Sequence, residues 1–235
     1  LDKCRIALFS SDWAAQSAIR NYRVKPEKVK VVSYGVNIKC DRTLADIREI
    51  ARLKALDHCK LLFLGVNWQR KGAEIAIKVA EALNQSGLKT QLTIVGCNVP
   101  PHYIVPPYVK TLGFVSKATQ EGRQQLEECF LESHFLILPS RADCTPMVLG
   151  EANSFGLPCL TTKVGGIPTL VKDDENGKLF DLEASATDYS KYVLDVLSDP
   201  VRYRHLCESS FAAYQERLNW PVAVRRASQL LRAAA

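Results

Sequence analysis

Three observations predict an α/β fold with a doubly wound parallel sheet. Apolar runs of strand length recur along the whole chain, and helical patterns sit between most of them. The chain has 235 residues, 47% of them hydrophobic and 24% charged, which is enough to bury a sizeable core. Strands that alternate with helices over such a length call for parallel strands joined by crossover helices that cover both sheet faces. A Rossmann-like domain follows.

The elements justify this in order. Residues 5–9 read as a buried strand, residues 12–21 as a helix and residues 29–33 as a second strand. A polar connection over 34–43 then interrupts the pattern. Residues 1–40 are therefore read as the end of a preceding domain with its linker, and residues 41–235 as the main domain. The opening stretch reads as a strand and not as a charged leader with a cleavage site, and the single methionine is Met147. The expectation is a piece cut from something longer. In the main domain, strands are expected at 60–64, 91–95, 109–112, 134–138, 158–162 and 178–180. Helices are expected at 44–56, 72–86, 119–131, 147–155, 186–197, 201–218 and 222–232. The short alanine-rich end at 233–235 is expected to lack fixed structure.

Bulk properties exclude several function classes. No stretch approaches the ~18 to 20 uninterrupted apolar residues that cross a bilayer. The eight cysteines are scattered through apolar segments with no close pair, which reads as reduced thiols in a cytoplasmic protein. The histidines at 58, 102, 134 and 205 are equally dispersed, so no metal site is expected. A net charge of +6 fits a solvated basic surface or attraction for phosphates or an anionic membrane, and does not choose between them. Nucleic-acid binding has only that mild charge in its favour.

Open parallel sheets bind ligands beyond the carboxyl ends of their strands, so the loops there come first. Residues 65–72 (Gly-Val-Asn-Trp-Gln-Arg-Lys-Gly) place Arg70 and Lys71 ahead of a long helix. Two cations at a helix N-terminus oppose its dipole unless an anion lies between them and the free amides. The plain alternative is two exposed cations beside a turn. Residues 139–146 (Pro-Ser-Arg-Ala-Asp-Cys-Thr-Pro) lead into the helix carrying Glu151. Asp143, eight residues before Glu151, can face the same crevice; Thr145 is expected to cap that helix, with Pro146 as its first residue. The plain alternative makes these ordinary loop and helix-start residues. Residues 163–169 contain Gly165-Gly166, which permits close backbone approach to a ligand and is also common in ordinary turns.

Taken in order, these segments resemble the C-terminal, donor-binding domain of the retaining GT-B glycosyltransferases of the group 1 type, over nearly the whole chain. Residues 10–37, ending in Tyr-Gly-Val-Asn, are similar to the family's last N-domain unit. Residues 64–72 are similar to its phosphate loop, Asp143 and Glu151 to its two-acid motif, and residues 151–158 to its Glu-Ala-x-x-x-Gly-x-Pro run. Gly165-Gly166 and Asn176-Gly177 match its Gly-Gly and Asn-Gly elements. The resemblance implies that Lys71 binds the donor's diphosphate from the loop opened by Gly65, that Glu151 holds the nucleotide ribose, and that Asp143 faces the transferred hexose. It also implies that amides around Cys144, Thr145 and Gly166 contact sugar or phosphate. Positioned cations would replace a metal, so no cofactor is expected beyond the nucleotide-sugar donor substrate.

Three positions depart from the family pattern. Val66 stands where a phosphate-binding arginine is usual, and Arg70 is the candidate to replace it. Asp143 is shorter than the usual Glu, and Thr169 stands where many members carry Glu. Val66 and Thr169 keep open a degenerate GT-B domain that binds a nucleotide or a protein partner without catalysis. A related epimerase or a glycogen-synthase-like transferase also shares the fold, whereas a dehydrogenase lacks its Gly-x-Gly-x-x-Gly. The acceptor, whether sugar, lipid or polysaccharide, would bind chiefly to a missing N-terminal domain, as would any peripheral membrane contact. This piece alone is expected to transfer nothing. The final helix is expected to pack toward that domain, leaving Val224 and Leu230 exposed here.

Overall fold

The computed structural model describes residues 3–101 and 103–234; His102 lies outside the described residues. Strands β1 (Ala7–Phe9) and β2 (Val29–Val31) pair in parallel as a small separate sheet, with helix α1 (Asp12–Tyr22) between them in sequence. The main sheet holds β3 (His58–Leu64), β4 (Lys89–Val95), β5 (Val109–Gly113), β6 (Phe135–Leu138), β7 (Cys159–Thr162) and β8 (Gly177–Phe180). Its order is β5-β4-β3-β6-β7-β8, and every pairing is parallel. The doubly wound α/β prediction holds.

Successive strand residues point to opposite faces, yet every residue of β6 and β7 is buried. Both faces of the sheet are therefore covered, which is why β6 reads as a continuous apolar run, while the buried Thr161 and Thr162 of β7 donate their hydroxyls to the Leu138 and Ser140 carbonyls. The covering helices are α2 (Leu44–Leu53), α4 (Ala73–Gln85), α5 (Gln120–Glu132), α6 (Met147–Asn153), α8 (Ala186–Leu197) and α9 (Pro200–Arg217), with α10 (Trp220–Ala233) at the end. Two short turns, α3 (Trp68–Lys71) and α7 (Ile167–Leu170), were not expected. Helix α4 buries Ala73, Ala76, Ile77, Ala80 and Leu83, the spacing of one helical face, while α2 and α6 both pack on α9. Thr43 with Asp46, and Ser185 with Asp188, form capping boxes that fix where α2 and α8 begin.

Other expectations are corrected. Arg70 and Lys71 are not part of the long helix's approach but close α3, whose N-cap is the Asn67 side chain. Gly72 then reverses the chain at φ +79, so close to β6 that an added Cβ would stand 2.1 Å from the Pro139 carbonyl oxygen. Of the alanine-rich end, Ala233 belongs to α10 and the Ala234 amide donates to the Leu231 carbonyl, while Ala235 lies outside the described residues. Helix α10 returns to the segment joining the two sheets, where the Trp220 indole donates to Asn37 Oδ1 at 2.9 Å and its ring stacks on Tyr34. Val224 is exposed as expected, but Leu230 is half-buried and Leu231 is the exposed leucine.

One buried polar group gives a stability prediction. His134, 2% exposed, accepts the Lys60 amide at Nδ1 (2.9 Å) and contacts the Ala55 carbonyl through Nε2 (2.9 Å). Burial pushes its pKa down from 6.5 to about 4. Below pH 6.5 the unfolded chain takes up a proton here that the folded chain refuses, so stability falls by about 1.4 kcal/mol per pH unit from this group until pH 4. Urea unfolding of the wild type and of His134→Gln at pH 7, 5.5 and 4.5 should show the wild type's advantage shrinking at that rate.

Candidate functional site

The sheet order changes direction between β3 and β6, because β4 and β5 continue outward on one side and β7 and β8 on the other. A crevice opens beyond the carboxyl ends of strands at such a switch point. The loops that flank it are 65–72, after β3, and 139–146, after β6. They are tied by the Arg141 amide, which donates to the Arg70 carbonyl at 2.8 Å.

Lys71 lies across this switch point. Its stem runs past Gly65, where an added Cβ would meet the Lys71 Cγ at 2.9 Å, so the glycine makes room for the lysine. The Lys71 ammonium donates to Asp143 Oδ2, with the two side chains only 10% and 11% exposed. Arg70 extends over the same acid: its Nη1 donates to the Ala142 carbonyl at 3.1 Å and lies 3.6 Å from Asp143 Oδ2. Two cations thus share one carboxylate in a partly dry crevice, where Coulomb attraction exceeds its value in water. The excess positive charge suits an anion.

Glu151, on α6, is 2% exposed and is held separately from Asp143. Both its carboxylate oxygens accept from the Lys117 ammonium, at 2.5 and 2.6 Å. Lys117 comes from the connection between β5 and α5, and nothing in its sequence surroundings marks it. Each member of the acid pair therefore has its own lysine, and the two acids form separate ion pairs.

The third loop is not an open cradle. The Gly166 amide donates to the Asp143 carbonyl at 3.1 Å, and a Cβ at Gly166 would stand 1.8 Å from the Cys144 carbonyl oxygen. The paired glycines let loop 163–169 press against loop 139–146, so the close neighbour there is protein backbone. Thr145 does not cap α6; the cap position is Pro146, without a side-chain bond. The Thr145 hydroxyl instead pairs with Ser10 Oγ at 2.9 Å. Thr169 turns to the same unit, accepting the Asp12 amide at 3.0 Å and donating to Asp12 Oδ2 at 2.8 Å. Cys144 is exposed, with its sulfur 3.9 Å from Ser11 Oγ. Sequence reasoning missed these contacts of residues 10–12, which span more than 130 positions.

Asn176, fully buried, serves the fold: it donates to Asn153 Oδ1 (2.8 Å) and to the Leu170 carbonyl (2.9 Å) and accepts the Lys172 amide. Among the described residues, no group of three His, Cys, Asp or Glu side chains could hold a metal, and no helix is long and apolar enough to cross a membrane.

The family model described as Glycosyl transferases group 1 matches residues 49–211, well over half of the chain. The chain belongs to the group 1 glycosyltransferases. Among curated members, it is 27% identical over 187 residues to the D-inositol 3-phosphate glycosyltransferase of Acidothermus cellulolyticus, covering 74% of this chain and 42% of that one. It is 26% identical over 234 residues to the enzyme of the same name from Streptomyces scabiei, covering 94% and 52%. The chain thus spans about half the length of these relatives. Among solved structures it resembles Anabaena Alr3699/HepE in complex with UDP, with a TM-score of 0.73 at 18% identity over 98% of this chain and 64% of that one. It also resembles WaaG, a glycosyltransferase involved in lipopolysaccharide biosynthesis, with a TM-score of 0.72 at 21% identity over 94% and 61%. At these identities the likeness establishes the fold, that of a GT-B glycosyltransferase's Rossmann-like half.

Proposed function

We propose that this chain is the donor-binding half of a retaining glycosyltransferase, which moves a hexose from a nucleoside-diphosphate sugar to an acceptor held by another half. The observation that carries the reading is the Lys71–Asp143 ion pair at the sheet's switch point, with Arg70 over the same acid. In the proposed complex the diphosphate draws the Lys71 ammonium from Asp143, and the freed carboxylate accepts hydrogen bonds from hydroxyls of the sugar. Glu151 accepts from the ribose hydroxyls. As the glycosidic bond breaks, negative charge grows on the leaving diphosphate, and the held cations stabilise that charge more than the ground state. That role asks for no metal. The setting proposed is cytoplasmic, with acceptor and membrane contacts assigned to the other half. HepE's binding of UDP and UDP-glucose makes these the first ligands to test.

Calorimetry with a panel of nucleoside diphosphates and their sugar conjugates tests the reading. Saturable binding that depends on Lys71 supports it, and no binding across the panel removes it. Arg70→Ala should weaken diphosphate binding by about tenfold, the scale of one charge-assisted hydrogen bond. Unchanged affinity would show that Arg70 does not replace the arginine absent at Val66.

A further inference from the structure

We infer that Lys117 is a latch on the nucleotide site: its ammonium covers Glu151, and a ribose reaches that carboxylate only by displacing it. The inference rests on the donor-binding reading above. Its basis is the match between the two partners. Glu151 has a side chain only 3% exposed with Lys117 paired to it. Lys117 takes up both oxygens at once, at 2.5 and 2.6 Å, and its side chain is 45% exposed. The ammonium therefore sits on the solvent side of the acid, where a ribose diol would need to lie. Two hydroxyls cannot bond these oxygens in the same geometry while the ammonium holds both.

Displacement has somewhere to lead. Lys117 also lines a half-open cavity of about 700 Å³ whose walls carry Asp41, Asp46 and Glu127. The same walls carry Lys39, Arg42 and Arg123, which balance the three acids, so the cavity offers a released ammonium room and hydration. The loop need not unfold for the swing. Its backbone is pinned by Arg123, whose Nη1 donates to the Lys117 and Ala118 carbonyls at 3.0 Å each, so only the Lys117 side chain has to move. A lysine stem has the length and rotatable bonds for such a swing, and the ribose hydroxyls that replace the ammonium keep the buried Glu151 carboxylate hydrogen-bonded, so the exchange leaves no buried charge without a partner.

The latch makes predictions that a contact residue would not. Lys117→Ala should bind UDP about fivefold more tightly than the wild type, because the competitor for Glu151 is gone and the ribose hydroxyls supply the partner that the buried carboxylate then lacks. Glu151→Gln should abolish that gain in the Lys117→Ala background. A second measurement needs no variant: acetylation of Lys117 by acetic anhydride, followed by mass spectrometry, should quicken several-fold when UDP is added. Inorganic pyrophosphate, which lacks a ribose, should leave the rate unchanged. Tighter binding by Lys117→Ala together with UDP-dependent exposure of Lys117 upholds the latch. UDP binding that is lost in Lys71→Ala but unchanged or weaker in Lys117→Ala, or slower acetylation with UDP, overturns the latch and leaves the donor reading standing. If no nucleoside diphosphate binds the wild type or Lys117→Ala, the donor reading falls and the latch with it.

Discussion

Lys71→Ala is expected to weaken nucleoside diphosphate binding by about a hundredfold and to destabilise the fold by about 2 kcal/mol. Two separate effects produce the loss of affinity. A charge-assisted hydrogen bond to phosphate contributes about 1.5 to 3 kcal/mol, or roughly ten- to hundredfold in affinity. In addition, Asp143 would keep its negative charge in a crevice where its side chain is 11% exposed, next to the arriving diphosphate. The stability loss has the same origin, a buried carboxylate left without its main partner; Arg70, 3.6 Å away, offsets only part of it. A double variant separates the two effects. Lys71→Ala with Asp143→Ala should recover most of the stability in denaturant unfolding while calorimetry still shows binding weakened at least tenfold. If the double variant regained wild-type affinity, Lys71 would serve only to neutralise Asp143, and the phosphate role would be wrong.

What the sequence showed, and what it hid, follows from how far each signal reaches along the chain. The runs at 134–138 and 158–162 announced strands because burial on both faces keeps charged residues out of them, and the polar ones they hold, His134, Thr161 and Thr162, bond to backbone. Lys71 and Arg70 were legible because two cations ahead of a long helix oppose its dipole, and breaks of a local rule gather at functional sites; the structure places both in the last turn of α3. Thr145 misled for the opposite reason. Its local preference for a helix cap lost to a hydroxyl 135 residues away, Ser10, which only the folded chain brings near. Lys117 left no trace, because its meaning comes from a β5–α5 connection folding over a different helix, α6. The Gly165-Gly166 pair announced close approach without saying what approaches; the answer is the Asp143 and Cys144 backbone.

That close approach carries the second large effect. Gly166→Ala is expected to cost about 3 kcal/mol of stability and to weaken nucleotide binding at least about tenfold, although residue 166 would touch no ligand through its new methyl group. Gly166 has φ −89 and ψ 2, a conformation alanine adopts freely, so the backbone imposes no penalty of its own. The methyl would instead lie 1.8 Å from the Cys144 carbonyl oxygen and 2.6 Å from the Ser11 Cβ, both inside contact distance. Loop 163–169 must then move away from loop 139–146. The Gly166–Asp143 hydrogen bond stretches, and the Thr169–Asp12 pair that ties in the N-terminal unit is strained with it. Asp143 shifts from the position that Lys71 and Arg70 share, so affinity falls through geometry alone. Gly87→Ala supplies the comparison. An added Cβ there meets nothing within 4 Å, but φ is +89, so the cost comes from conformation alone, about 1 kcal/mol, and binding should be unchanged. Denaturant unfolding and UDP calorimetry on the two variants would decide the matter, since equal binding by both would mean that the packing of the glycine loop does not set the position of Asp143.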